Sequence, residues 1–169
     1  MQRIVLALVF CALVIGCSDT TKYQSEFRGT WFLQSRKLTP GETIQSPKIS
    51  GLIEWFPTTE TQAHVHLSVT DDRQNIRIVD AVYDLPGTEF TYQSNLRIGS
   101  VSTTKSDATY ETTPETGSGQ ISSDDARVTL NHDNGTRFEF IGAQLTVTYP
   151  NGTVDTWKRN KDQKGVLAK

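Results

Sequence analysis

The chain has 169 residues, about one ordinary domain and enough to close a sheet around a core. Its 17 Lys and Arg against 19 Asp and Glu leave a net charge of -2, which is neither the footprint of a nucleic-acid binder nor the acidity of a polyanion mimic. Residues 1–16 differ in kind from the rest. Arg3 gives a positive start, and Ile4 to Ile15 is a continuous apolar run of signal-peptide length, too short to span a bilayer. Without this segment the exported portion carries 16 basic and 19 acidic residues, a net -3.

The apolar run ends in Val14-Ile15-Gly16-Cys17, which resembles the bacterial lipobox. The resemblance implies a thioether from Cys17 to diacylglycerol, cleavage before it, and acylation of the new amino group. The alternatives are an uncut anchor or an ordinary signal peptide that happens to hold a Cys. Each buried methylene of the acyl chains would add about 0.8 kcal/mol of membrane affinity. Ser18 follows, where Asp would resemble an inner-membrane retention signal, so in a cell with two membranes the outer one is expected. Cys11 leaves with the signal peptide and Cys17 is consumed by lipid, so no thiol remains for a disulfide or a thiolate metal site.

Asp19 to Glu26 is polar and without periodicity, which predicts a tether over residues 17–26. Phe27-Arg28-Gly29-Thr30-Trp31-Phe32-Leu33 opens the domain as a strand, with Phe27, Gly29, Trp31 and Leu33 sharing a face. Thr39-Pro40-Gly41 and Ser46-Pro47 punctuate a loop. Strands are predicted at Gly51–Phe56, at Ala63–Val69 with Val65, Leu67 and Val69 on one face, and at Ile76–Tyr83. Glu89–Gln93 and Leu96–Thr103 read as a hairpin across Ser94-Asn95, and Ser106–Gly119 as a long mobile loop. Two hairpins follow: Arg127–Asn131 with Thr136–Ile141, and Gln144–Tyr149 with Val154–Arg159, the second through an Asn151-Gly152 type I′ turn. Lys161 to Lys169 is a polar tail.

Nine or ten short strands joined by hairpins imply an antiparallel meander, and closure into a barrel removes the open edges. A two-sheet sandwich is the alternative. Gly29-x-Trp31 resembles the first-strand Gly-x-Trp of the lipocalin and wider calycin superfamily, in which an Arg of the last strand packs over the Trp. Arg159 matches that residue by position. The resemblance implies a single lipocalin-like barrel over residues 27–160, sealed by Gly29, Trp31 and Arg159. It covers the two ends of the exported portion, and the family's middle motif is absent.

Chemistry-bearing residues are few. His64-x-His66 places two imidazoles about 7 Å apart on the polar face of one strand, a spacing that can chelate Zn or Cu but that exposed strand histidines also share. Asp71-Asp72 and Asp124-Asp125 lack calcium-loop spacing and sit where turns are expected. No nucleophile elbow, free thiol or phosphate-binding Gly-rich loop is present, so no catalytic residue, metal or cofactor is assigned and no enzyme is expected. Trp55, Phe56, Tyr83, Phe90, Tyr92, Phe138, Phe140 and Tyr149 are the candidate lining of any ligand cavity, against the plainer reading that they fill the barrel. Arg73, Arg77, Arg97, Arg127 and Arg137 are scattered, which allows an anionic headgroup site without signalling one, and Asn134-Gly-Thr and Asn151-Gly-Thr read as turns. The expectation is a lipid-anchored envelope protein, non-catalytic, that binds a small apolar or amphiphilic molecule. The alternative is an envelope-structural or protein-interaction part with a filled barrel. A third reading, an enzyme, would need polar groups converging in a cleft, for example His66 near an acidic side chain.

Overall fold

Backbone pairing along this chain follows sequence order, because nearly every connection is too short to do anything but reverse the strand. The computed structural model describes residues 20–72, 75–100, 109–124 and 126–160. The signal-peptide stretch, Cys17, Arg73, Asp125 and the tail at 161–169 lie outside the described residues. One helix, α1 (Thr20–Phe27), precedes eleven strands: β1 (Gly29–Lys37), β2 (Thr43–Gln45), β3 (Ile49–Pro57), β4 (Gln62–Asp71), β5 (Asn75–Asp84), β6 (Glu89–Ser100), β7 (Thr109–Ser123), β8 (Val128–His132), β9 (Arg137–Ile141), β10 (Gln144–Thr148) and β11 (Val154–Arg159). The sheet is an antiparallel meander, and β11 returns to pair with β1. Ten strands therefore close into a barrel, and β2 is an extra strand on the second half of β1.

The fold is all-β and closed, as the alternating strands and hairpin spacings imply. Four local readings are corrected. Thr20 to Phe27, expected as tether and strand start, is a helix with Tyr23, Gln24 and Phe27 buried, so the packed unit begins before the first strand. Ser94-Asn95 is no turn: β6 runs through it, Ser94 facing inward and Asn95 outward. The predicted mobile loop is largely β7, the longest strand. Its composition misled because two glycines there make room for rings. Phe90 pairs with Gly119 and Tyr92 with Gly117, and a Cβ on Gly117 would stand 2.6 Å from the Tyr92 hydroxyl. Finally, the 149–152 turn is closed by Gly152 N–H donating to Tyr149 O (2.9 Å), with Gly152 at φ +81°. That is the pattern of a type I turn with a following bulge, and it suits Pro150 at the first central position.

Inside, two tryptophans and two phenylalanines fill the half of the barrel nearest α1. Phe27 lies 5.0 Å from the Trp55 ring and 4.7 Å from Phe140, and Trp31 packs edge-on to Phe140 at 5.5 Å. Trp157 and Leu145 are also wholly buried. The seam is fixed by Arg159, whose guanidinium sits 4.4 Å over the Trp31 ring and donates to Glu26 O at the end of α1. The Trp31 indole donates to Phe27 O (3.2 Å). Gly29, at φ +133°, turns the chain from helix into strand beside the Arg159 stem.

Because Gly119 faces both the Phe90 ring and the Asn131 carbonyl, Gly119→Ala forces backbone apart, not only a flexible side chain. The expected cost is about 1–3 kcal/mol, the range for overpacked cores. Urea unfolding checks it, with Gly87→Ala, which meets nothing within 4 Å, as the neutral comparison.

Candidate functional site

The two ends of the barrel are finished differently. At one end α1 lies across the opening, Tyr23 hydroxyl to Ser123 Oγ (3.3 Å) and Gln24 Nε2 donating to Glu60 O (2.5 Å). At the other end the interior side of the sheet carries side chains that stay accessible. Val79 and Leu96 are half-buried, and Ile98, which pairs with Arg77 across β5 and β6, is 53% exposed. This end is the mouth.

The floor of the mouth is polar. Asp155 points inward from β11, is fully buried, and takes a two-pronged contact from Arg36, both prongs 2.6 Å. Tyr149 completes the carboxylate's shell by donating its hydroxyl at 3.1 Å. The Asp155 bond, set against desolvation, holds the Arg36 guanidinium above its ordinary pKa, while burial drives the Tyr149 phenol well up. Arg77 then lies over the Tyr149 ring, 5.1 Å from its centroid. Its Nε is closed to water and meets no acceptor. Charge in the mouth is therefore two guanidinium groups against one carboxylate on its floor. Glu111 is on the same side of the sheet two strands from Arg77, is exposed, and makes no ion pair with it.

Beside the mouth, a histidine is buried in rings. His132 sits 4.9 Å from Phe90, 5.2 Å from Tyr92, 5.1 Å from Phe138 and 5.7 Å from Tyr83. Its Nδ1 faces Thr136 O (3.1 Å), which can only accept, so Nδ1 carries the proton and Nε2 accepts from the Tyr83 hydroxyl (2.8 Å). Desolvation pushes its pKa down to about 4. Tyr92 donates to Glu115 Oε1 (2.9 Å), and burial with that bond raises its phenol to about 12. Asn134 Nδ2 donates to the same carboxylate at 2.8 Å.

The outer face holds the remaining polar cluster. His66 Nδ1 donates to Asp80 Oδ1 (2.7 Å), and Arg97 donates to the other oxygen. Desolvation works to raise the Asp80 pKa, but these two bonds outweigh it and hold the carboxyl below its usual range. An open groove of about 250 Å³ beside it is lined by His64, Asp80, Val82, Gln93, Asn95 and Glu115 among others. A carboxylate-oriented imidazole resembles half of an acid–base pair, yet no hydroxyl or thiol hydrogen-bonds to it among the described residues. Among those residues, too, no three His, Cys, Asp or Glu side chains are placed to share a metal.

The sequence-predicted residues divide accordingly. Gly29, Trp31 and Arg159 meet at the seam. Trp55, Tyr83, Phe90, Tyr92, Phe138 and Phe140 face inward but pack on one another, so they fill the barrel more than they line a space. Phe56 is a correction: it points outward and is 41% exposed, because Trp55 takes the inward position on β3. Tyr149 stands at the mouth. His64 and His66 face outward from β4. Asp71 and Asp124 serve turns, accepting from Asn75 N (2.9 Å) and Ala126 N (3.2 Å). Arg36, His132 and Asp155 carried no sequence assignment to a site, and Arg77 stood only among scattered basic residues that allow an anionic headgroup site, although it shares strand parity with Val79, Ala81 and Tyr83. Comparison with protein-family models finds none that matches this chain, and no curated protein matches it.

His132 makes the fold acid-sensitive in a defined window. Above about pH 6.5 the imidazole is neutral whether the chain is folded or not. Between 6.5 and about 4 only the unfolded chain takes up the proton, so stability falls as pH drops through that interval. The expected slope is at most about 1.4 kcal/mol per pH unit. Tm measured from pH 7.5 to 4 should fall more steeply for the native chain than for His132→Gln, and parallel curves would place the acid sensitivity elsewhere.

Proposed function

We propose that this protein is a lipid-anchored envelope lipoprotein, attached through Cys17, whose lipocalin-like barrel holds a small amphiphilic molecule at its mouth without catalysing a reaction. One observation carries the reading: the barrel is plugged by helix and rings at one end, while at the other Val79, Leu96 and Ile98 stay accessible on the interior side of the sheet. Apolar side chains on a concave face beside oriented polar groups are what small-molecule sites are made of. The aromatic filling below argues for shallow binding instead of a deep cup, so the ligand's tail would lie against β5 and β6 and its polar part against the Arg36, Asp155 and Tyr149 floor.

A second reading rests on the outer face. Phe32, Phe56 and Val82 are each more than two-fifths exposed on β1, β3 and β5, and Phe56 and Val82 flank His64 in register; docking to another protein would need them to act as one patch. The open edge of β7 is a poorer docking strip, because Pro114 removes a backbone donor and Glu111 and Glu115 add charge.

Native mass spectrometry of the Cys17→Ser protein, purified without detergent and titrated with dodecanol and dodecanoate, tests the amphiphile reading. Stoichiometric adducts are expected. A clean apo mass with both probes overturns it. Attachment is tested separately: the native sequence should carry acyl mass and fractionate with membranes, and Cys17→Ser should do neither.

A further inference from the structure

Resting on the mouth as binding site, we propose that the Arg77 guanidinium is the receptor for one anionic group, a carboxylate or a phosphate, borne by the amphiphile. The two arginines at the mouth are treated differently by the fold. Arg36 is neutralised, since both of its prongs end on Asp155. Arg77 is held but not neutralised. Its only contact of note is the Tyr149 ring, 5.1 Å from the guanidinium carbon, and no hydrogen bond occupies its terminal nitrogens among the described residues. No carboxylate pairs with it among the described residues, and its Nε is out of reach of both water and acceptor.

An orphaned donor on a cation is expensive to keep, and the arrangement is not one of neglect. Tyr149 is itself fixed by Asp155, which is fixed by Arg36, so a residue of β1, one of β11 and one just past β10 serve to position one unpaired charge. A planar guanidinium with a free edge matches the two oxygens of a carboxylate or phosphate, which an ammonium would meet only as a point charge. Immediately beside it, Ile98 is register-paired with Arg77 and 53% exposed, and Val79 lies two residues along the same strand. An apolar chain that leaves its charged end on Arg77 would cover these two side chains. Neutral apolar ligands gain only the second contact, and free anions only the first. The occupant is therefore an anionic amphiphile.

The test uses the full chain carrying Cys17→Ser, and Arg77→Gln and Arg77→Lys made in it, with Tm recorded for each to show that it folds. Four probes are titrated below micelle-forming concentrations: dodecanoate, dodecyl phosphate, dodecanol and inorganic phosphate. Dodecanoate or dodecyl phosphate should bind at least about tenfold tighter than dodecanol, the worth of one charge-assisted contact. Arg77→Gln should lose that margin, Arg77→Lys should recover only part of it, and dodecanol should bind all three alike. The Arg77 Nε–H resonance should also shift on addition of the tighter anionic probe. Which of the two binds more tightly separates a carboxylate from a phosphate headgroup. Dodecanol binding as tightly as both anions overturns the role of Arg77 while leaving the amphiphile site intact, and so does an Arg77→Gln protein with unchanged anion affinity. Inorganic phosphate binding as tightly as dodecyl phosphate overturns the amphiphile as occupant. If no twelve-carbon probe binds, the mouth itself is not a site.

Discussion

Closure of the sheet on itself is the constraint from which the rest follows. When β11 pairs with β1, every strand of the ten gains two neighbours and the interior becomes a fixed volume that side chains must fill. Arg159 makes that closure specific. It spans the seam by resting on Trp31 of the first strand, and it binds the last turn of α1 through Glu26 O. One residue thus joins the end of the chain's described part to its beginning and sets the helix over the opening. Burial lowers the pKa of this guanidinium, so the π face and the carbonyl offset only part of the hydration it loses. The helix could not stay in place on its own account, since eight residues form no stable helix in water.

Filling follows from closure, and it consumes most of the aromatics. The rings form one connected stack from Phe27 through Trp55 and Tyr83 to Tyr92 and His132. A stack of this kind specifies a single packing, since displacing any ring leaves a void against its neighbours. The polar members are tied in as well: Tyr83 to His132, Tyr92 to Glu115. Among the described residues, the interior of the barrel opens where the stack stops, at the end away from α1.

Much of this was legible in the residues, and the parts that were not share a cause. Alternation in Ala63–Val69 and the turn residues of the last third announce a meander directly, since period-two patterning and Asn-Gly turns are local signals. Gly29, Trp31 and Arg159 were legible by resemblance. What composition hid was non-local. Gly117 and Gly119 look like loop residues until Tyr92 and Phe90 are seen to lie over them, a contact set by the partner strand. Ser94 and Asn95 look like a turn until the neighbouring strands carry the ladder through them. Phe56 looks like core until Trp55 claims the inward parity. Arg77 and Asp155 were hidden by their charge: a titratable residue on a strand is read as solvent-facing by default, and only the sheet's parity turns it inward.

That default is sound physics, which is why its failure at the mouth carries weight. Buried polar atoms are nearly always paired, and four described side-chain nitrogens here are not: Trp55 Nε1, Trp157 Nε1, Arg159 Nε and Arg77 Nε. The two indoles are neutral donors and lose at most one hydrogen bond each. Arg159 keeps a carbonyl on its terminal nitrogen and a ring beneath it. Arg77 is charged, keeps the ring, and has no acceptor at all among the described residues. A sequence free to relieve that cost could place Gln or Leu there, because the position needs only to cover Tyr149. Keeping a guanidinium over the Tyr149 ring, unpaired and beside an exposed isoleucine, makes sense when a partner for its terminal nitrogens arrives from outside the chain, and a departure from the rules of a well-packed interior is most often found where a protein does its work.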